Sequence, residues 1–138
     1  MDQAQPGQCL CGAIRFVATG EPIWTGYCHC QSCRRNTASM VANFVGYRPQ
    51  QVEFSGDNPA VYQSSPGVRR GFCQQCGTPL YYEADRAENE IHLYVGVMDR
   101  PGDFIPQFHV FCAEQVPGFD VRDDLPRHAG TSGRQDTE

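Results

Sequence analysis

Three short cysteine clusters dominate this chain: Cys9-Leu10-Cys11-Gly12, Cys28-His29-Cys30-Gln31-Ser32-Cys33 and Cys73-Gln74-Gln75-Cys76-Gly77. They hold seven of its eight cysteines. Spacings this short let neighbouring sulfurs reach one soft metal ion, and zinc is the usual occupant of such thiolate sites. Seven ligands are one too few for two closed four-sulfur sites. An open position is the feature that separates catalytic zinc from structural zinc.

Composition predicts a single compact domain. The chain has 138 residues, of which 40% are hydrophobic and 20% are charged. The first six residues lack the basic and apolar regions of a secretory leader, and no apolar run reaches membrane-spanning length. We therefore expect a cytoplasmic protein with no membrane partner. A disulfide framework, the alternative for an even number of cysteines, is disfavoured because it needs an oxidising compartment.

The charge balance argues against a nucleic-acid partner. Sixteen acidic residues outnumber eleven basic ones, which gives a formal net charge of -5. Proteins that follow a phosphate backbone usually gather Lys and Arg on one face. We therefore expect no nucleic-acid partner; the partner that the cysteine chemistry below predicts is a small-molecule thiol. The oligomeric state is not predicted.

Short segments rich in β-branched and aromatic residues, separated by Gly, Pro, Asn and Asp, predict a mainly β domain with little helix. The predicted strands are Ala13–Ala18, Met40–Tyr47, Gln51–Phe54, Val61–Gln63, Leu80–Tyr82, Ile91–Val97 and Gln107–Phe111. One helical turn is expected at Gln31–Asn36. From Arg127 onward the chain has no large apolar residue, so residues 127–138 are predicted to form a disordered tail.

The position of glycine pairs the first and third clusters. Gly12 and Gly77 directly follow Cys11 and Cys76, whereas Arg34 follows the middle cluster. Glycine tolerates the positive φ that turns backbone amides toward sulfur in a tight knuckle. We therefore predict one closed site made by Cys9, Cys11, Cys73 and Cys76. Structural zinc contributes roughly 10–16 kcal/mol in small domains, so losing one of these ligands should unfold the protein.

The middle cluster then forms a three-sulfur site from Cys28, Cys30 and Cys33, with its fourth position free or filled by Cys112, His109 or His29. If one of those residues fills it, the site is a second structural one. If the position is free, three thiolates on Zn²⁺ make a weak Lewis acid for water activation. Such a metal is better suited to capturing another thiol as thiolate and holding it as a nucleophile.

Three motifs together resemble the glutathione-dependent formaldehyde-activating enzyme family, which includes centromere protein V and shares the Mss4-like fold. They are the segments 7–16, 28–35 and 72–80, and the segment 117–126 is similar to the closing motif of that family. The resemblance covers about residues 7–126, which we take as the domain.

The resemblance implies a tent-like arrangement of β-sheets with two zinc ions. A structural zinc would lie on Cys9, Cys11, Cys73 and Cys76, and a more labile, catalytic zinc would lie on Cys28, Cys30 and Cys33. The implied activity is that of a carbon-sulfur lyase, the reversible condensation of glutathione with formaldehyde to S-hydroxymethylglutathione. Ala38-Ser39 and Gly118 depart from the family pattern, and these departures bear on the substrate pocket rather than on the metals.

Several residues have two interpretations. Arg34 and Arg35 are predicted to bind a carboxylate of the substrate, against the alternative of a solvated surface pair. His29 could transfer protons or simply pack in the interior. Cys112 is expected to be a free, buried thiol unless it completes the second site. The alternative functions are a zinc-stabilised binding or chaperone-like module without catalysis and a glutathione carrier.

Overall fold

A computed structural model describes residues 3–132 of the chain, which fold into ten strands and one α-helix. The strands are β1 Gln5–Gln8, β2 Ile14–Ala18, β3 Trp24–Cys28, β4 Ala42–Tyr47, β5 Val52–Gly56, β6 Ala60–Ser65, β7 Val68–Phe72, β8 Pro79–Ala84, β9 Ile91–Tyr94 and β10 His109–Val110. The helix, α1, spans Gln31–Thr37. Short 3-10 turns cover Pro49–Gln51, Asp85–Ala87, Val95–Val97, Pro101–Asp103 and Cys112–Glu114. The predicted mainly β class with little helix is confirmed.

The strands form two sheets. A three-stranded antiparallel sheet has the order β1-β2-β5, and a seven-stranded sheet has the order β10-β3-β4-β9-β8-β7-β6. In the larger sheet, the β10-β3 pair is parallel and the other pairs are antiparallel. Because β10 pairs with β3, a late segment of the chain lies beside the middle cysteine cluster.

The main core contains the inward side chains of both sheets. In β2, Ile14, Phe16 and Ala18 are buried while the residues between them are exposed, as expected for a strand with one face on the core. Phe16 contacts Phe54 of β5, and Phe54 contacts Tyr81 of the larger sheet. A second, smaller cluster contains Cys28, Cys33, Ala42, Phe44 and Tyr94. The middle cysteine cluster is therefore packed into an apolar part of the protein.

Each of the seven predicted strands overlaps an observed one, but three observed strands were missed. These are β1, β3 and β7, each of which contains a glycine that lowers β-propensity. A side chain at Gly26 of β3 would collide with the ring of Phe108, and one at Gly71 of β7 would collide with the ring of Tyr81. Tertiary packing thus requires glycine at these positions. The strand predicted at Ile91–Val97 ends at Tyr94, where a 3-10 turn begins.

Part of the predicted tail is hydrogen-bonded to the domain. Arg127 forms an isolated bridge with His109, and the amide of Cys112 donates to the carbonyl of His128 at 2.9 Å. The amide of Phe111 donates to the carbonyl of Gly130 at 2.7 Å. Residues 127–130 are therefore paired alongside β10 and the turn after it. Of the predicted tail, only residues 133–138 lie outside the described residues, and a domain boundary at residue 126 remains a prediction.

Candidate metal centres and active-site cavity

The four-cysteine site joins the loop between β1 and β2 to the loop between β7 and β8. The Sγ atoms of Cys9, Cys11, Cys73 and Cys76 all lie within 4.8 Å of one another. Cys11 Sγ lies 3.7 Å from Cys9 Sγ and 3.8 Å from Cys73 Sγ. Four sulfurs around zinc, at bonds of about 2.3 Å, would lie about 3.8 Å apart in a tetrahedron. The group thus has the donors and the spacing to hold a metal ion, on the cysteines that were predicted to share one.

Backbone geometry explains the glycine after each pair. Gly12 has φ +80° and Gly77 has φ +81°, in the left-handed region that other residues adopt at a cost. The amide of Gly12 donates to the carbonyl of Cys9 at 3.1 Å, and that of Gly77 donates to the carbonyl of Cys73 at 2.8 Å. The predicted positive φ at both knuckles is confirmed.

The three-cysteine site lies where β3 meets α1. Cys28 is the last residue of β3, Cys30 caps the start of α1, and Cys33 lies in its first turn. The amide of Cys33 donates to Cys30 Sγ at 3.3 Å, so the first turn of the helix brings Cys33 close to Cys30. The three Sγ atoms lie within 4.8 Å of one another and could hold a metal ion. All eight cysteines are free thiols, which contradicts the disulfide alternative.

The three thiols titrate as one group. Hydrogen bonds from the thiols of Cys28 and Cys33 hold the pKa of Cys30 far below its usual range. The pKa of Cys28 is raised because its thiol donates to Cys30 and then because of Cys33 and burial. One negative charge therefore forms readily on the sulfur of Cys30, where the thiols of Cys28 and Cys33 stabilise it. Binding of a divalent cation would compensate further negative charge and displace the remaining protons.

None of the three candidates fills the fourth position. Within residues 3–132, no other Cys, His, Asp or Glu contributes a ligand atom to the group of Cys28, Cys30 and Cys33. Cys112, predicted to be buried, is half-buried at the start of a 3-10 turn. His29 and His109 bind each other instead. This part of the protein therefore supplies three sulfur ligands.

Two buried histidines, His29 and His109, and the exposed Asp123 form a chain of hydrogen bonds next to the three-cysteine site. His29 Nε2 lies 2.8 Å from His109 Nδ1, and His109 Nε2 lies 3.0 Å from Asp123 Oδ2. The two histidines are 1% and 0% exposed. The hydrogen bond from His109 lowers the pKa of Asp123 to about 2, while burial lowers the pKa of His29. Neither ring lines the cavity described next, so His29 has a packing and hydrogen-bonding role here.

A cavity of about 270 Å³ opens beside the three-cysteine site, and Cys28, Cys30 and Cys33 form part of its wall. Its aromatic wall consists of Trp24, Phe44, Tyr82, His92, Phe108 and Phe111. Charged and hydroxyl groups also line it, at Ser32, Ser65, Arg70, Arg86, Glu114 and Thr131. The site thus combines reactive sulfurs with a largely apolar enclosure, as small-molecule sites usually do.

Arg70 of β7 links the cavity to the sulfurs. Its Nη1 lies 3.7 Å from Cys33 Sγ and 3.3 Å from the hydroxyl of Tyr94, and its Nε donates to Ser64 Oγ at 3.0 Å. The guanidinium also lies over the ring of Tyr82, 5.1 Å from its centroid. Burial disfavours the charge of Arg70, but the attraction of Cys33 outweighs it and raises the pKa of Arg70. Arg70 is therefore a cation held against the sulfur cluster.

The structure places Arg34 and Arg35 on α1, away from the cavity wall. Arg35 is exposed, and Arg34 is half-buried with a buried Nε that has no hydrogen-bond partner among the described residues. Among residues 3–132, the arginines that line the cavity are Arg70 and Arg86, neither of which was predicted from the sequence. Arg70 comes from a strand whose pairing depends on long-range contacts, so no local pattern could have revealed it.

The fold and the two cysteine groups define a β-sheet protein with two candidate metal centres. The chain belongs to the glutathione-dependent formaldehyde-activating enzyme family, whose model matches residues 4–114. It is 35% identical over 83 residues to a Schizosaccharomyces pombe protein named as an uncharacterized lyase, a match that spans 60% of each chain. It is 28% identical over 102 residues to a Halomonas elongata protein whose name assigns it, provisionally, as a glutathione-dependent formaldehyde-activating enzyme. That match spans 67% of this chain and 64% of the relative, so this chain matches less than two thirds of either relative.

A crystal structure of a Rhodobacter sphaeroides protein shares the fold. It has a TM-score of 0.57 and 20% identity, and the match covers 88% of this chain and 98% of that one. The predicted Mss4-like class of the domain agrees with this likeness and with the family match. No helix within residues 3–132 has both the length and the apolar character needed to cross a bilayer.

Proposed function

We propose that this protein is a zinc-dependent carbon-sulfur lyase that reversibly joins a small thiol, such as glutathione, to formaldehyde. The observation that carries the proposal is the group of three cysteine sulfurs on the wall of a 270 Å³ cavity, without a fourth protein donor among the described residues. Family membership and the names of the two relatives support the same reaction class.

Zinc fits both cysteine groups because clustered thiolates favour it. We propose two zinc ions per chain, a structural one in the four-cysteine site and a labile, catalytic one on Cys28, Cys30 and Cys33. When bound in the three-cysteine site, zinc supplies a soft Lewis acid that lowers the pKa of a thiol. The contact of the three-cysteine site with the cavity supports this division of roles.

The protein's own residues bind and orient the reactants. The aromatic wall excludes water, and Arg70 provides a positive charge where a thiolate would approach. The sulfur of the thiolate attacks the carbonyl carbon of formaldehyde and forms the carbon-sulfur bond. The electron pair of the carbonyl π bond moves to oxygen, which takes up the proton that the thiol released. In the reverse direction the hydroxymethyl oxygen loses that proton and the carbon-sulfur bond breaks.

The role predicted for Arg34 and Arg35, binding a carboxylate of the substrate, remains a proposal. Neither residue lines the cavity, so a substrate would have to extend over α1 to reach them. Arg86, which does line the cavity, is a second candidate for that carboxylate.

Two other proposals use the same geometry. A glutathione carrier would bind thiols in the cavity without accelerating a reaction, and a binding module would keep two tightly held metals and ignore thiols. The apolar cavity beside the sulfurs favours the carrier over the binding module. For all of them we propose a cytoplasmic location, because eight free cysteines require a reducing compartment.

The test is the rate at which glutathione, formaldehyde and their hydroxymethyl adduct exchange, measured by NMR at equilibrium with zinc-loaded protein. The enzyme should raise the exchange rate without changing the equilibrium concentrations. Cys33→Ser should abolish the acceleration, while the matched control Cys112→Ser should retain it, since Cys112 lies outside both cysteine groups. Zinc-loaded protein that binds glutathione without accelerating exchange would favour the carrier and overturn the lyase.

A further inference from the structure

Arg70 is a buried arginine that has no carboxylate partner among residues 3–132. Its side chain is 5% exposed, and its hydrogen-bond partners are two hydroxyl groups and a sulfur, on Ser64, Tyr94 and Cys33. Arg69, its neighbour on β7, shows the usual arrangement, with ion pairs to Asp85 at 2.9 Å and Glu83 at 3.8 Å. Within residues 3–132, Arg70 has no such ion pair. A buried guanidinium requires a counter-charge because removing it from water is costly.

The cysteine cluster is the counter-charge within reach. Ser64 and Tyr94 are neutral hydroxyls, which leaves Cys33, whose Sγ lies 3.7 Å from Arg70 Nη1. Three thiolates and one divalent cation have a net charge of -1. With Arg70 included, the assembly is neutral. When an anion enters the open position, the assembly with Arg70 has a net charge of -1, whereas the same assembly without Arg70 would have a net charge of -2.

We propose that Arg70 makes the open position of the three-cysteine site selective for an anionic ligand over a neutral one. The inference deepens the proposed function and rests on it, because it assumes that the metal binds Cys28, Cys30 and Cys33. The selected ligand class is a soft anion, with a thiolate as the natural member.

The orientation of the side chain supports a direct contact with such a ligand. Hydrogen bonds from Nε and Nη1 and the ring of Tyr82 fix the guanidinium plane. Its Nη2 makes no hydrogen bond to another residue within 3–132, and Arg70 lines the cavity. The fixed fork therefore retains donors for an anion beside the sulfurs.

The test uses the full chain loaded with Co²⁺, whose absorption spectrum reports a change of ligand at the open position. Azide is the anionic probe and imidazole is the neutral probe. Arg70→Gln should weaken azide binding by about tenfold or more, as expected for losing a nearby positive charge in a partly buried site, while imidazole affinity changes by less than about twofold. The control Arg69→Gln, on the same strand but outside the cavity wall, should leave both affinities unchanged.

Arg70→Lys keeps the charge but loses the fork, so its ratio of azide to imidazole affinity should remain near that of the wild type. That variant also keeps the proposal testable if Arg70→Gln does not fold. Equal weakening of both probes in Arg70→Gln, or a collapse of the ratio in Arg70→Lys, would overturn the inference. The cobalt content of the wild type distinguishes failure of the proposed function from failure of the anion selectivity. A protein that binds one Co²⁺ per chain overturns the proposed function, whereas one that binds two Co²⁺ with an unchanged ratio in Arg70→Gln overturns the anion selectivity alone.

Discussion

His29 Nε2 lies 2.8 Å from Nδ1 of His109, and this contact sets the tautomers of both rings. Because Asp123 accepts a hydrogen bond from His109 Nε2, the Nδ1 atom of a neutral His109 is an acceptor. His29 must then donate from Nε2. Its own Nδ1 is an acceptor, buried and without a partner among the described residues. The ring between Cys28 and Cys30 is thus held by a segment eighty residues later in the chain.

The first prediction concerns the stability that this contact provides. His109→Gln should lower the free energy of unfolding by about 1–3 kcal/mol, because it disrupts the hydrogen bond between two buried rings. Urea unfolding of the metal-loaded protein measures the change. His128→Gln is the matched control, because the His128 side chain is only partly buried and takes no part in the hydrogen bonds of His29, His109 and Asp123. Similar losses in both variants would contradict a special role for the His29–His109 contact.

The second prediction is a pH dependence. Burial lowers the pKa of His29 below its usual 6.5, so folding favours the neutral ring. The associated stability is complete above about pH 6.5 and is lost as the pH falls toward the folded-state pKa. Urea midpoints between pH 8 and pH 5 should therefore fall more steeply for the wild type than for His29→Gln. Thiol protonation acts on both proteins, so the difference between their slopes isolates His29. Parallel slopes would show that His29 contributes nothing.

The third prediction tests the four-cysteine site. Cys73→Ser should leave the chain poorly folded and deficient in metal, because structural zinc contributes roughly 10–16 kcal/mol in small domains and the site joins two distant loops. Zinc per chain and thermal unfolding are the measurements. Cys112→Ser should behave like the wild type. A folded Cys73→Ser protein with full zinc content would refute a structural role.

The fourth prediction distinguishes the two proposed zinc ions by their lability. A mild chelator should remove one zinc quickly, from the three-cysteine site, and the other slowly. Added glutathione should protect the fast-exchanging zinc, because it would occupy the open position. Zinc release followed with a colorimetric chelator provides the two rates. A single slow phase that thiols do not affect would favour the binding module instead.

The fifth prediction concerns the end of the domain. Removing the chain after Pro126 eliminates the backbone hydrogen bonds of His128 and Gly130 and the contacts of Arg127, which donates to Val121 O at 2.8 Å and Asp123 Oδ1 at 2.9 Å. We expect a lower urea midpoint and weaker thiol binding, since Thr131 also lines the cavity. Unchanged values would support the boundary predicted at residue 126. Arg127→Ala should show part of the loss, and the exposed Arg122→Ala should show none.

The sequence was informative where chemistry is local. Cysteine spacing and the two glycines predicted which sulfurs meet, and alternation predicted strands such as β2. It failed where distant segments determine the environment. β3 contains Gly26 because Phe108 lies across that position, and Arg70 reaches Cys33 only through the pairing of β7 with β8 and of β8 with β9. Such contacts follow from tertiary packing, which residue patterns in one segment do not encode.

The four-cysteine site also constrains how the protein emerges from the ribosome. Its first two ligands, Cys9 and Cys11, are made before the other two, and Cys76 follows Cys11 by about 3–13 s at ordinary rates of translation. During that interval the growing chain has half a binding site, and the thiols of Cys9 and Cys11 lack their two partners. Metal supply and protection from oxidants at that stage should therefore influence the yield of native protein as strongly as the stability of the finished domain does.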